Sequence, residues 1–262
     1  MSHQVKALER YLGLKLFTRS NRKVKLTAAG RNYLIPVKQS LNEMEVATQH
    51  IVSDPETDIV TISTAPNFLV RWLMPRLKDF QNKYPDVELR ITASNDMVDL
   101  YTSNIDMAIY FGHGDWHDID VSFLHNVYLV PVCSAELLKN GPPLETPEDL
   151  KKHTLIHVTK RLFEWPEWLE LAKMKNKGFP KGLQLSSSQL ATSAAREGLG
   201  VALADLTLST REIEQGKLIM PFDILLDSHR SFYLVHQKNR PLTYGMRAFK
   251  EWLISAMPQN QN

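Results

Sequence analysis

From Thr27 to Ser53 the apolar residues Leu34, Val37, Leu41, Met44 and Ile51 recur at alternating steps of three and four once Thr48 is counted in the series. That spacing is the seam of a helix that pairs with a second helix. Thr27 carries the side-chain oxygen needed to cap the first turn, and Lys38, Asn42, Glu45 and Gln49 fall on other faces. Pro36 lies inside the pattern; it removes a backbone hydrogen bond and crowds the preceding turn, so a bend is expected between Asn32 and Pro36. From periodicity alone, a helix packed on its own domain is the better reading. Its place between a basic segment and a mixed α/β segment favours a linker that joins the two and pairs two copies.

On the N-terminal side, Ser2 to Leu12 reads as a helix with Val5, Leu8 and Leu12 on one face, stopped by Gly13. Leu14 to Arg19 and Lys23 to Leu26 are strand-like runs around Ser20–Asn21–Arg22, a composition that makes a basic hairpin. Beyond a charged connector at Ser53 to Asp58, strand and helix alternate. Ile59 to Ser63 precedes a helix at Asn67 to Tyr84, and Val87 to Thr92, Met97 to Ser103 and Met107 to Phe111 continue the pattern. Val121 to Leu124 then leads to an apolar run ending at Cys133. A second set has helices from Ser134, at Thr146 and through Trp168 to Met174, with a strand at Leu155 to Val158. It continues through Leu183 to Ser186, a helix from Gln189 to Glu197, and the strand Val201 to Ala204. Phe232 to His236 and a helix from Leu242 to Met257 close the chain. The alternation predicts an α/β fold with a mainly parallel sheet and helices on both faces.

A length of 262 residues suits a small module plus a larger one with a sizeable core. The net charge of +2 conceals an asymmetry: residues 1–31 hold eight basic side chains against the single acid Glu9, a balance of +7, which leaves −5 for the remainder. The first segment alone is suited to phosphate, and its interleaved leucines mark it as folded. The lone cysteine, Cys133, excludes an internal disulfide, suits a reducing compartment and reads as a buried small hydrophobe. No apolar run is long enough for a membrane helix, and Met1 to Arg10 has no signal-peptide core, so no membrane partner and a cytoplasmic location are expected. His113 and His117 with Asp115, Asp118 and Asp120 form the one cluster of metal-ligand type, and solvated loop residues are the better account of it. Gly198 and Gly200 read as caps. No catalytic motif is present, so neither an enzyme nor a cofactor is expected.

The string SHQVKALERYLG, followed by LKLFTRSNRKVKLTAAG, resembles the second half of the winged helix-turn-helix of LysR-type transcriptional regulators. WLMPRLKDF, IDMAIYFGHGDW and SSSQLATSAAREGLGVALAD are similar to that family's two-lobed effector domain, in the branch of the glycine-cleavage and β-lactamase regulators. The resemblance implies a partial winged helix-turn-helix at residues 1–30, a linker and dimerisation helix at 27–57, and a periplasmic-binding-protein-like domain at 58–262. Lobe I would comprise 58–130 and 232–262, and lobe II 131–231. In that family two further helices precede the recognition helix, whereas Met1 here falls inside it. A misplaced start or a truncated regulator is therefore expected, with DNA binding compromised.

The resemblance also implies roles. Ser2, His3, Lys6 and Arg10 would enter the major groove of double-stranded DNA while Arg19, Arg22 and Lys23 of the wing hold phosphates. Leu34, Val37, Leu41, Met44 and Ile51 would form the homodimer, with a homotetramer built through the effector domains and RNA polymerase as a further partner. Asn67 opens a helix after a strand, and Ser187 and Ser188 stand in the same relation to a second helix, so two helix N-termini would face one cleft and hold a small-molecule effector. Positions matching Asn67, Asp99, one of the serines and Phe232 line the effector pocket in the β-lactamase branch, where Asn67 is replaced by threonine and Phe232 by tyrosine. Tyr110 and Phe111 would add an aromatic wall. The alternative is a solute-binding protein of the same fold without DNA-binding activity.

Overall fold

The computed structural model describes residues 3–20, 23–34, 36–37, 40–41, 44, 58–174 and 182–258. Helix α1 (His3–Leu12) ends at Gly13, whose φ of 68° is the left-handed cap that glycine adopts without penalty. Strands β1 (Phe17–Ser20) and β2 (Lys23–Leu26) pair antiparallel as the expected hairpin. Glu9, the one acid of this segment, is buried at 3 % exposure. Its carboxylate accepts from the amides of Leu16 at 2.9 Å and Phe17 at 3.2 Å and pairs with Lys15 at 3.2 Å. Burial pushes its pKa up, and those three partners together hold it below the usual carboxylate value. The acid thus ties the helix to the strand that follows. Thr27 caps helix α2 (residues 28–34): its hydroxyl accepts from Gly30 N at 2.9 Å and donates to Lys15 O at 2.7 Å. Pro36, Val37, Ser40, Leu41 and Met44 are helical too. Ile51 and most of the later seam lie outside the described residues, as does residue 35 within the expected bend.

The larger sheet has eight strands in the order β4-β3-β5-β10-β6-β9-β7-β8. β3 (Asp58–Thr64) pairs parallel with β4 (Val87–Ala93) and β5 (Met107–Gly112), and β7 (Leu155–Val158) pairs parallel with β8 (Leu183–Leu185) and β9 (Val201–Asp205). Between these two sets run β6 (Ile119–Val132) and β10 (Leu226–Gln237), antiparallel to each other and to β9 and β5 respectively. The mainly parallel sheet expected from alternation is therefore corrected to a mixed one. Its two parallel sets are joined through the two long strands that carry the chain from one half to the other. The runs read as separate strands, Val121 to Leu124 and the stretch ending at Cys133, are one. Of the polar pair between them, His125 meets Asp205 through Nε2 at 3.0 Å while its Nδ1 is buried without a partner among the described residues, and Asn126 accepts from the Ser231 hydroxyl at 2.8 Å.

Helix α3 (Pro66–Phe68) runs into a π-turn (Leu69–Leu73), a 3-10 turn (Met74–Arg76) and α4 (Leu77–Lys83). Pro75 explains why this segment is not one straight α-helix. Met97 to Ser103 forms turns rather than a regular element, held by Tyr110, whose hydroxyl donates to Val98 O at 2.8 Å and accepts from Val98 N at 3.1 Å. The remaining helices are α5 (Ala135–Asn140), α6 (Glu164–Leu171), α7 (Ser188–Arg196), α8 (Leu206–Glu214) and α9 (Tyr244–Ala256). The segment at Thr146 is a 3-10 turn, Pro147–Lys152, and α8 was not expected at all. Val127 and Leu129 of β6 enter the main core with Trp72, Phe80, Trp168 and Trp252, while Val130 and Val132 enter a second core with Ala191, Ala194 and Ala195 of α7. The alternation along one strand thus gives this part of the sheet a packed layer on each face.

Candidate functional site

A cavity of about 270 Å³ opens where strands of the two parallel sets end opposite each other. From one side Ala65 and Asn67, Ser94 to Met97, and Ile109, Tyr110 and Phe111 line it; from the other come Val158, Lys160, Arg161, Ser186, Ser187, Ser188, Leu203 and Asp205. Val127, Leu129, Arg230 and Phe232 of the long strands complete the wall. Ligands of open α/β sheets bind at such strand ends because loops and helix starts there are free to diverge. Of the seven residues expected from sequence, the fold brings six to this cavity: Asn67, Tyr110, Phe111, Ser187, Ser188 and Phe232. Asp99 is outside the lining, and its carboxylate accepts from Tyr101 N at 2.9 Å within a turn.

Asn67 is fixed in orientation. Arg71 Nε donates to its Oδ1 at 3.0 Å, both side chains being buried. A guanidinium only donates, so Oδ1 is fixed on the Arg71 side and the NH2 is the free end of the Asn67 amide. Ser187 caps α7 by accepting from Leu190 N at 3.3 Å, which leaves its hydroxyl hydrogen available. Asp205 is committed elsewhere: one oxygen meets His125 Nε2 at 3.0 Å and the other caps α8 at Leu208 N, 3.3 Å away. His125 in turn stacks on Phe232, with centroids 5.2 Å apart, and Phe232 packs against Phe68 and Phe111 at 5.2 and 5.3 Å. The aromatic wall is thus part of the core and held from behind.

Three lining cations were not foreseen. Lys160 and Arg161 belong to the 3-10 turn Thr159–Arg161 that follows β7, and Arg230 follows an irregularity of β10 after Asp227. Arg161 pairs with the buried Glu164 at 2.9 Å. The only sequence signal was basic residues set directly beside apolar strands, which a single chain does not distinguish from solvated charge.

Elsewhere the expectations fall out as follows. His3, Lys6 and Arg10 are exposed on α1; Arg19 and Lys23 lie on the hairpin strands; Ser2 and Arg22 are outside the described residues. Leu34, Leu41 and Met44 are 47, 60 and 66 % exposed, and Val37 is half-buried. In the loop after β5, Trp116 packs edge-on against Tyr110 and Tyr233, at 5.4 and 5.5 Å, and no group of three potential metal ligands forms among the described residues. Cys133 is fully buried and burial pushes its thiol up to about 11, which leaves little thiolate for nucleophilic chemistry. No helix among the described residues is long and apolar enough to cross a membrane.

Comparison with known proteins accounts for both parts of the chain. Residues 53–258 match the LysR substrate binding domain, and residues 1–31 match the bacterial regulatory helix-turn-helix of the lysR family. The glycine cleavage system transcriptional activator of Escherichia coli K12 is 37 % identical over 261 residues, covering 100 % of this chain and 85 % of that protein. The HTH-type transcriptional activator AmpR of Pseudomonas aeruginosa is 33 % identical over 255 residues, covering 97 % of this chain and 84 % of AmpR. Among solved structures, the effector domain of that AmpR superposes with a TM-score of 0.64 at 33 % identity, over 76 % of this chain and 94 % of the domain. CrgA, a LysR-type regulator of Neisseria meningitidis, shares the fold over 96 % of this chain and 86 % of its own, with a TM-score of 0.64 at 24 % identity. With both family models matched and curated relatives above 30 % identity along nearly the whole chain, the chain belongs to the LysR family of transcriptional regulators.

Proposed function

We propose that this regulator senses a small metabolite enclosed between residues 58–130 with 232–262 on one side and 131–231 on the other. The observation that carries this reading is the cavity itself, which gathers Asn67, Ser187, Ser188, Tyr110, Phe111 and Phe232 from four separate elements, α3, β5, β10 and the start of α7. β6 and β10 are the two crossings between the halves, so a ligand that contacts both halves favours one relation between them. That change reaches DNA through the linker helix, whose seam pairs two chains, and the effector domains assemble the dimers further into tetramers. His3, Lys6 and Arg10 of α1, with the hairpin, supply the DNA-facing charge, and RNA polymerase is the partner on the promoter. The protein works in the cytoplasm and by binding alone. The curated relatives named as transcriptional activators support activation as its mode.

A thermal-shift screen of a metabolite panel on the full chain tests the site. A ligand that raises the melting temperature should lose its effect when Ser187 and Ser188 are both replaced by Trp, with the far-ultraviolet circular dichroism unchanged. A shift retained in that variant places the ligand outside the cavity.

A further inference from the structure

The charged groups that line the cavity are three cations, Lys160, Arg161 and Arg230, against two acids, Asp96 and Asp205. Asn67 has its NH2 as the free end of the amide, since its carbonyl already accepts from Arg71, and Ser187 accepts at its own helix cap, which leaves its hydroxyl hydrogen to donate. Lys160 and Arg230 have no carboxylate within ion-pair distance among the described residues, and Arg161 has only Glu164. Of the two lining acids, Asp205 is held by His125 and by the start of α8, and Asp96 sits at the exposed mouth. A cationic ligand would meet three cations, and a neutral apolar one would strip water from donors and return nothing.

Arg230 is placed for this purpose by local structure. The register between β6 and β10 shifts after Asp227, whose carboxylate accepts from His229 N at 2.7 Å, and His229 takes a left-handed φ of 54°. That detour takes Arg230 out of the regular ladder. Its guanidinium carbon then lies 5.7 Å from the Phe111 ring centre and 5.8 Å from that of Phe163. Two rings hold the flat cation, and its N–H edge is left for a planar partner. The Phe111 ring is also approached by Arg161, at 5.5 Å, so both guanidinium groups converge on one wall.

Resting on the reading that the cavity is the effector site, we propose that its ligand is a small oxyanion, a carboxylate or a phosphate ester, paired with Arg230 and Lys160 and backed by Arg161. The rest of the ligand is apolar and fills the space beside Phe111, Phe232, Leu129 and Leu203. A cavity of about 270 Å³ is near the lower end of small-molecule sites, which suits a ligand of metabolite size.

Four matched probes on the full chain test the charge preference: benzoate, phenyl phosphate, benzamide and benzylamine, each titrated at millimolar concentration by thermal shift. Benzoate or phenyl phosphate should raise the melting temperature, and which of them does so separates the two sources of the anion. Benzamide and benzylamine should not. Arg230→Gln should weaken the anion at least about tenfold, the scale of a lost charge-assisted pair. Arg230→Lys keeps the charge without the fork, and should retain the preference for the anion at reduced affinity. Benzamide protecting as well as benzoate, or Arg230→Gln binding benzoate undiminished, overturns the proposal. If that protection is still lost in the Ser187 and Ser188 double Trp variant, the cavity reading stands while the charge preference falls. Absence of protection by both anions at these concentrations also overturns the proposal.

Discussion

Arg71 donates its Nε hydrogen to Asn67 Oδ1 at 3.0 Å and so decides which face of that amide a ligand meets. The same guanidinium pairs with Glu212 of α8, and Glu212 is approached by Arg196 of α7 at 3.5 Å. A chain of charge therefore runs from the helical segment after β3, on one side of the cavity, to two helices on the other. Arg71 is buried, and burial first, then the nearby Arg196, lowers its pKa to about 10, so the cation persists at neutral pH at a real desolvation cost.

Arg71→Met should leave Glu212 partly buried with Arg196 as its remaining partner. We expect a loss of about 3 kcal/mol, at the lower end for breaking a buried pair because Glu212 keeps that second cation. Adding Glu212→Gln should recover part of the loss, since the orphaned charge is then removed. Denaturant unfolding of the three proteins checks it. Equal stability of Arg71→Met and wild type would mean that the chain of charge contributes nothing net to holding the halves together.

Much of this arrangement was legible because it follows from local rules. A strand ending in Ala65–Pro66–Asn67 and a serine pair before a helix are strand-to-helix junctions, and both lie at the cavity. Gly198 and Gly200 were read as caps; their φ values are 78° and 152°, and a Cβ on Gly200 would stand 2.2 Å from Thr154 O, so close approach is the reason there. What was not legible depends on long-range pairing. The sequence splits β6 at His125–Asn126 because the partners of these polar residues, Asp205 for His125 Nε2 and Ser231 for Asn126, are distant in sequence. α8 went unseen because it buries little more than Leu208 and Ser209, too weak a stripe to stand out. Arg161 and Arg230 converge only once β7 and β10 are placed in the same sheet. Asp99 came from resemblance alone, and here it serves a turn.

Glu164 gives the cavity a proton linkage. Its carboxyl is pushed above the usual range chiefly by burial and also by Glu167, while Arg161 and Arg230 pull it back down. Its folded pKa lies above the unfolded value of 4.5, so the stability it contributes is present below 4.5 and is lost as pH rises through the folded value. An oxyanion that engages Arg161 and Arg230 weakens their hold on Glu164 and raises its pKa further, so binding should take up a proton. Affinity for an ionised probe should therefore increase as pH falls through the window above 4.5, by at most about tenfold per pH unit for one group. Glu164→Gln should flatten that dependence. Titrations of both proteins across the window check it, and an unaltered slope in the variant would assign the proton to another group.

The linker carries the last expectation. Leu34, Leu41 and Met44 lie 47, 60 and 66 % exposed along a helix that begins at the Thr27 cap, a row of apolar side chains that a single chain leaves in water. On the proposed pairing, a second copy of the helix would cover the row by presenting the same row in return, so any change in it would act twice in the dimer. Leu41→Asp removes the burial of one leucine per chain, about 1.5–3 kcal/mol each, and sets two like charges in the same seam. We expect the dimer dissociation constant to rise at least about a hundredfold, which follows from those two losses before repulsion is counted. Sedimentation of the wild type and the variant at equal concentration reads it directly. The eight-stranded sheet lies elsewhere in the chain, so the circular dichroism of the variant should be unchanged. A dimer of undiminished affinity would place the pairing surface on another face of the molecule.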